Sequence, residues 1–331
     1  MKQVWKYFCT ACVFASASAV SAQPVPPDYG FEFVTIGDVG NPDADPATYP
    51  IPDFGPASGS VDYEYRIAKS KTNAGQWVDF VNAYWPYHDI PNDPLRIQLL
   101  GFNVGVDNPG AKPGEDPGAF IRRGGADWAT TASWNAAARF ANWLHNGKVS
   151  EPWAFETGAY DFTQSDFPAR SVEARFWIPS LDEWNKAVYW DPDHSGEGVG
   201  GYWMYPNSSD DPLVPGLPGV GETPALDFPQ GTALGQYPDV QTPWGLEDVS
   251  GHDFEFVEYR EGAEFLYSVG SNTSTLYESY DLFGGFTLSP DPNTDFPSMF
   301  RVASAVPSPS VSFIASFSIC MVCGRRSRCG Y

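Results

Sequence analysis

A chain of 331 residues with 41 acidic against 19 basic side chains, formal net charge −22, presents a surface that repels nucleic acid and anionic lipid and attracts cations or basic partners. Aromatic residues make up 16% beside 32 glycines and 31 prolines, which excludes a disordered chain and describes a loop-rich domain held by large rings. The five cysteines, Cys9, Cys12, Cys320, Cys323 and Cys329, lie at the two ends, so the body between them has neither a disulfide nor thiolate chemistry.

Residues 1–22 read as an export signal: Lys2 and Lys6, then an apolar and small-residue stretch, then Val20-Ser21-Ala22 as a cleavage site. Residues 23–305 read as one domain that carries every acidic residue of the chain. Its first strand candidate is Tyr63–Ala68. Asn73 follows as an N-cap with Gln76 at the third helical position, and Trp77, Phe80, Val81 and Tyr84 at helical spacing predict a helix over 74–84.

A second helix starts from Ser133, places Trp134, Ala137, Ala138, Ala141 and Leu144 on one face and stops at Asn146-Gly147. After a strand candidate at Arg175–Ile178, Ser180 and Glu183 form a capping box for a third helix that stops at Asp191-Pro192. The acidic run from Asp191 to Gly196 imitates the first half of an EF-hand loop, but Tyr202 stands where the closing glutamate belongs, so it reads as a turn. The aromatic stretch Gly201–Tyr205 suits either a ligand cleft or the core. Phe254–Glu258 and Phe300–Ala303 complete the strand candidates, and the pattern is α+β with much irregular chain.

Residues 306–331 open with Val-Pro-Ser-Pro-Ser, continue through an apolar run from Val311 to Cys323 and end on Arg325, Arg326 and Arg328. That run is short for a membrane span of about 20 residues. It reads as a sorting tail.

Catalytic patterns are sparse. His88, His145, His194 and His252 have no zinc spacing, and neither a nucleophile elbow nor a phosphate-binding loop occurs. In a chain this acidic, chance alone supplies carboxylate pairs such as Glu255 near Glu258.

Five motifs, in order, carry a resemblance: YRIAKSKTNAGQWVDFVNA (65–83), SWNAAARFANWLHNG (133–147), ARFWIPSLDEWNKAVYW (174–190), TPWGLEDVSGHDFEFVE (242–258) and MFRVAS (299–304). Together they resemble the formylglycine-generating enzyme, or sulfatase-modifying factor, family, whose domain is a loop-rich variant of the C-type lectin fold with few short helices and irregular strands. The tail is similar to a PEP-CTERM sorting signal, with Ser308 where that pattern has glutamate, and implies a sorting protease as a partner.

The resemblance also implies what is missing. The family's oxidase binds copper(I) through two cysteines, and residues 23–305 contain none, so no copper is expected. The implied function is a non-catalytic exported domain of the cell envelope or exterior, displaying its loops to an extracellular glycan or protein. The alternative is a divergent oxidoreductase of the family working without cysteine. The family's structural calcium would fall on the side chains of Asp248 and Glu255 and the carbonyls of Gly251 and Asp253; hard oxygen donors on a tight loop suit that ion. Val269-Gly270-Ser271-Asn272 departs from the family's Gly-Gly-Ser-Trp.

Overall fold

Each predicted helix forms where its cap stands. In the computed structural model, α1 (Ala74–Tyr84) begins with a complete capping box: the Asn73 side chain accepts from the Gln76 N–H at 2.9 Å and the Gln76 side chain accepts from the Asn73 N–H at 3.0 Å. The hydroxyl of Ser133 likewise accepts from the Ala136 N–H at the start of α2 (Trp134–His145). This helix is buried on almost every face. Its interior Asn142 is tolerated because Nδ2 donates to the carbonyls of Phe155 and Tyr160, both at 2.8 Å, which ties down the short α3 (Pro152–Glu156).

The structure describes residues 25–45, 48–49, 58–87, 104–106, 120–122, 125, 127–226, 233–261, 265–272, 277–284, 286–289 and 298–306. Of these, the stretch from Val25 to Val306 gathers into one compact unit. The predicted signal segment, the sorting tail beyond Val306 and His88 lie outside the described residues.

The central sheet runs β1 (Phe33–Ile36), β2 (Tyr65–Ala68), β11 (Ala303–Ala305), β5 (Phe176–Trp177), all antiparallel, so the end of the domain pairs with a strand near its beginning. The last strand was expected over 300–303 and starts instead at Ala303. Phe300 and Val302 are buried, but their carbonyls accept from Thr72 and Ala68 in an irregular crossing rather than a ladder.

The third predicted helix, α4 (Leu181–Tyr189), carries its Ser180–Glu183 capping box as read, then ends before Asp191. Trp190–Asp191 leaves it as strand β6 and pairs with β7 (Gly201–Tyr202); Trp190 is pulled out of helical register by donating its indole N–H to Asp38 at 2.6 Å. A third sheet orders β10 (Phe286–Ser289), β9 (Phe265–Val269) and β8 (Glu255–Glu261), with an irregularity between Phe256 and Arg260. Two further short elements are the hairpin of β3 (Val104–Val106) with β4 (Phe120–Arg122), and α5 (Tyr277–Asp281).

The chain is thus α+β with few short helices and small antiparallel sheets. Its core is aromatic: Trp77, Phe80, Phe140 and Phe300 pack with ring centroids 4.9–5.7 Å apart, joining α1, α2 and the 299–304 motif. Tyr202 packs against Tyr49, Trp190 and Phe283 in the core, while the other four residues of the 201–205 stretch are half-buried. Among the described residues no helix is long and apolar enough to cross a membrane.

Candidate functional site

The loop from Asp248 to Glu255 is held by two left-handed backbone positions. Asp248 has φ 57° and Gly251 has φ 83°. A side chain at Gly251 would strike Thr223 Oγ1 at 2.3 Å and the Ala225 N–H at 2.8 Å, so the second turn requires glycine for space as well as for torsion.

The four predicted calcium donors lie on this one loop, and the donor oxygens of three of them, Asp248, Asp253 and Glu255, face different partners within the protein. Glu255 is fully buried and accepts a two-pronged bond from Arg301, Nε at 2.7 Å and Nη2 at 2.8 Å, plus the Trp184 indole N–H at 3.3 Å. Lys71 Nζ stands 3.8 Å from the same carboxylate. It donates to the Asp253 carbonyl at 2.8 Å. The Asp253 carboxylate caps the N–H of Phe254, and both oxygens of Asp248 accept from the Gly235 N–H, at 2.8 and 3.1 Å.

Arg301 completes the knot by donating to the carbonyls of Ala68, Lys69 and Glu247. Four of the five sequence motifs therefore meet at one buried carboxylate: Lys71 from the first, Trp184 from the third, Glu255 from the fourth and Arg301 from the last. Sequence reasoning missed Lys71 and Arg301 as members of this site. Their presence inside the quoted motifs was the only signal.

Burial raises the Glu255 carboxyl, but Arg301 and Lys71 outweigh it and hold it below the usual range. Burial pushes Asp253 up to about 6, and raises Asp248 as well. It pushes His252 down to about 3, so the imidazole is neutral at pH 7 and its Nε2, 4.0 Å from Asp248, forms no ion pair there. Beside the loop, a fully buried Asp281 accepts from the Ser250 hydroxyl, and burial pushes its carboxyl up to about 7. The void next to Asp248 and His252 is about 20 Å³, the size of a single water.

The acidic turn predicted at 191–196 spends its oxygens locally: Asp191 accepts from the Asp193 N–H and the Trp203 indole, and Asp193 from the Gly198 N–H.

A second cluster surrounds Glu183 and opens onto a cleft. Buried Glu183 accepts from the Ser180 N–H and the Tyr63 hydroxyl, each at 2.6 Å, from the Trp177 indole at 3.0 Å, and from Arg170 Nη1 at 3.0 Å to both oxygens. Arg170 then reaches Glu258 through Nε at 3.3 Å while lying over the Trp177 ring, and the Tyr160 hydroxyl donates to Glu258. Burial alone would lower the Arg170 pKa; Glu183 and Glu258 raise it well above the ordinary value.

Arg170 and Glu258 form one wall of a cavity of about 270 Å³ whose other walls include Trp134, Phe167 and Tyr259. Trp134 packs edge-on to Tyr160 at 5.4 Å, and Tyr259 packs edge-on to Tyr267 at 4.5 Å, so two of its rings are braced by rings outside the lining. None of the cavity residues had been singled out for binding.

No family model and no curated protein matches this chain.

Proposed function

We propose that this chain is a non-catalytic binding protein that works outside the cytoplasm, built on a domain of the formylglycine-generating-enzyme type, with its ligand seated in the cleft of Trp134, Phe167, Arg170, Glu258 and Tyr259. The observation that carries the reading is the composition of that cleft: braced aromatic faces beside one guanidinium and one carboxylate. Aromatic faces stack on the C–H faces of a sugar ring, while charged side chains at the rim take its hydroxyls. The volume lies just below the ~300–1,000 Å³ of drug-sized sites, which suits one ring at the end of a glycan rather than an extended peptide.

The cysteine-free body supports the non-catalytic side of the reading, because copper(I) oxidation needs soft thiolates. Export and sorting rest on residues 1–22 and 306–331 as read from sequence. In this reading the stiffening that the resemblance assigns to calcium falls to the ionic knot around Glu255.

Calorimetric titration against a panel of mono- and oligosaccharides tests the ligand, with Tyr259→Ala as the control. The expected result is saturable binding by wild type, at least tenfold weaker in a variant that still unfolds cooperatively above the assay temperature. Absence of binding across the panel would remove the glycan. Turnover of a Cys-x-Pro-x-Arg peptide to formylglycine would remove the non-catalytic reading altogether.

A further inference from the structure

We infer that the Lys71 ammonium holds the cation position of the 248–255 loop, so that this fold carries a tethered, non-metal cation where the resemblance implies calcium. The inference goes beyond the proposed binding function and does not depend on it. Two of the four implied donors, the Asp253 carbonyl at 2.8 Å and the Glu255 carboxylate at 3.8 Å, already face Lys71 Nζ.

The residues present do not fit calcium. That ion takes six to eight oxygens at about 2.3–2.6 Å, several of them anionic. Here Glu255, one of the two carboxylate donors, has both oxygens in the fork of Arg301, and the other, Asp248, turns both of its oxygens to the Gly235 N–H. An ion seated between Asp253 and Glu255 would also sit against two buried cations, Lys71 and Arg301, each with a fully buried side chain. Like charges at that range in a desolvated site repel strongly.

An ammonium suits the same place. It is compact, carries three donors on a flexible stem and needs fewer oxygens than a divalent ion. The chain delivers it from the segment between β2 and α1, whose ends are fixed by the central sheet on one side and by the Asn73 capping box on the other. Because the cation is part of the chain, no chelator can remove it, and folding is uncoupled from the calcium content of the surroundings.

Thermal melts of the full chain, in calcium and in a calcium chelator, test this with wild type, Lys71→Ala and Lys71→Met. Wild type should melt at the same temperature in both. Lys71→Ala vacates the cation position but leaves the Arg301 fork on Glu255 and the Gly235 N–H on Asp248, so its midpoint should fall below wild type by the same amount in calcium and in chelator. Lys71→Met, which fills the space without charge, should be destabilised and indifferent to calcium. A wild-type midpoint that drops in chelator overturns the inference, as does a folded Lys71→Ala that melts with wild type. If neither variant folds, the wild-type pair decides: coincident midpoints support the inference, and separated ones end it.

Discussion

Two carboxylates on strand β8, Glu255 and Glu258, meet cations in contrasting surroundings. Glu255 is sealed from water with Lys71, Arg301 and Trp184, and every partner comes from a different part of the chain. Glu258 shares Arg170 with Glu183 at the wall of a cleft, where its side chain keeps 15% exposure and Arg170 keeps 23%. A closed ion pair that loses one partner strands a charge in a medium that cannot solvate it, whereas an open one lets water take the vacated place. The closed knot therefore belongs to the fold alone, whereas the open one also lines a cleft that solvent reaches.

The largest expected effect is at the closed knot. Glu255→Gln leaves two buried cations without their carboxylate and should cost about 3–5 kcal/mol in chemical denaturation. A loss near zero would mean that water reaches the knot.

The pH response of the same region comes next. Burial pushes Asp281 up to about 7, above its unfolded value of about 3.9, so the folded chain holds that proton more tightly. The stability it contributes is present below about pH 4 and lost as pH rises to about 7. Asp281→Asn should therefore melt near wild type in acid and progressively above it towards pH 8; parallel curves would contradict the assignment. His252 acts with the opposite sign. Its folded value near 3 lies below the unfolded value of about 6.5, so its contribution is lost as pH falls through that window, in wild type and variant alike.

Smaller effects are expected at the open knot. Arg170→Met removes charge-assisted bonds from Glu183 and Glu258, but the bonds to Glu183 from Ser180, Tyr63 and Trp177 remain, and a loss of about 1.5–3 kcal/mol is expected. Ser180→Ala, which removes the N-cap acceptor of α4 and half of its capping box, should cost about 1 kcal/mol in the same denaturation experiment.

What could be read from sequence follows from range. The capping boxes at Asn73 and Ser180 and the cap at Ser133 are local, complete within one turn, and the helices they start were legible to a residue or two. α4 stops just short of the predicted Asp191-Pro192, where Trp190 is claimed by Asp38 from a distant segment. The short α3 follows an N-cap, Glu151, whose side chain makes no cap bond, so Pro152 at its first position was its one local start signal.

The candidate site divides in the same way. Asp248 and Gly251 were singled out through the resemblance alone, and their left-handed torsions emerge only in the folded loop. The partner of Glu255 was not legible. Lys71 lies in Ala-Lys-Ser-Lys-Thr, a stretch that looks like solvated surface, and only tertiary packing carries its ammonium inside. The cleft was hidden for the same reason, as Trp134, Arg170 and Glu258 come from three separate segments.

The most direct test of this division is a side-by-side calorimetric unfolding of Glu255→Gln and Glu258→Gln at neutral pH, two isosteric changes on one strand. The account predicts that Glu255→Gln lowers the midpoint by at least twice as much as Glu258→Gln. Equal losses, or a larger loss at Glu258, would contradict it and return the open cleft to the structural frame.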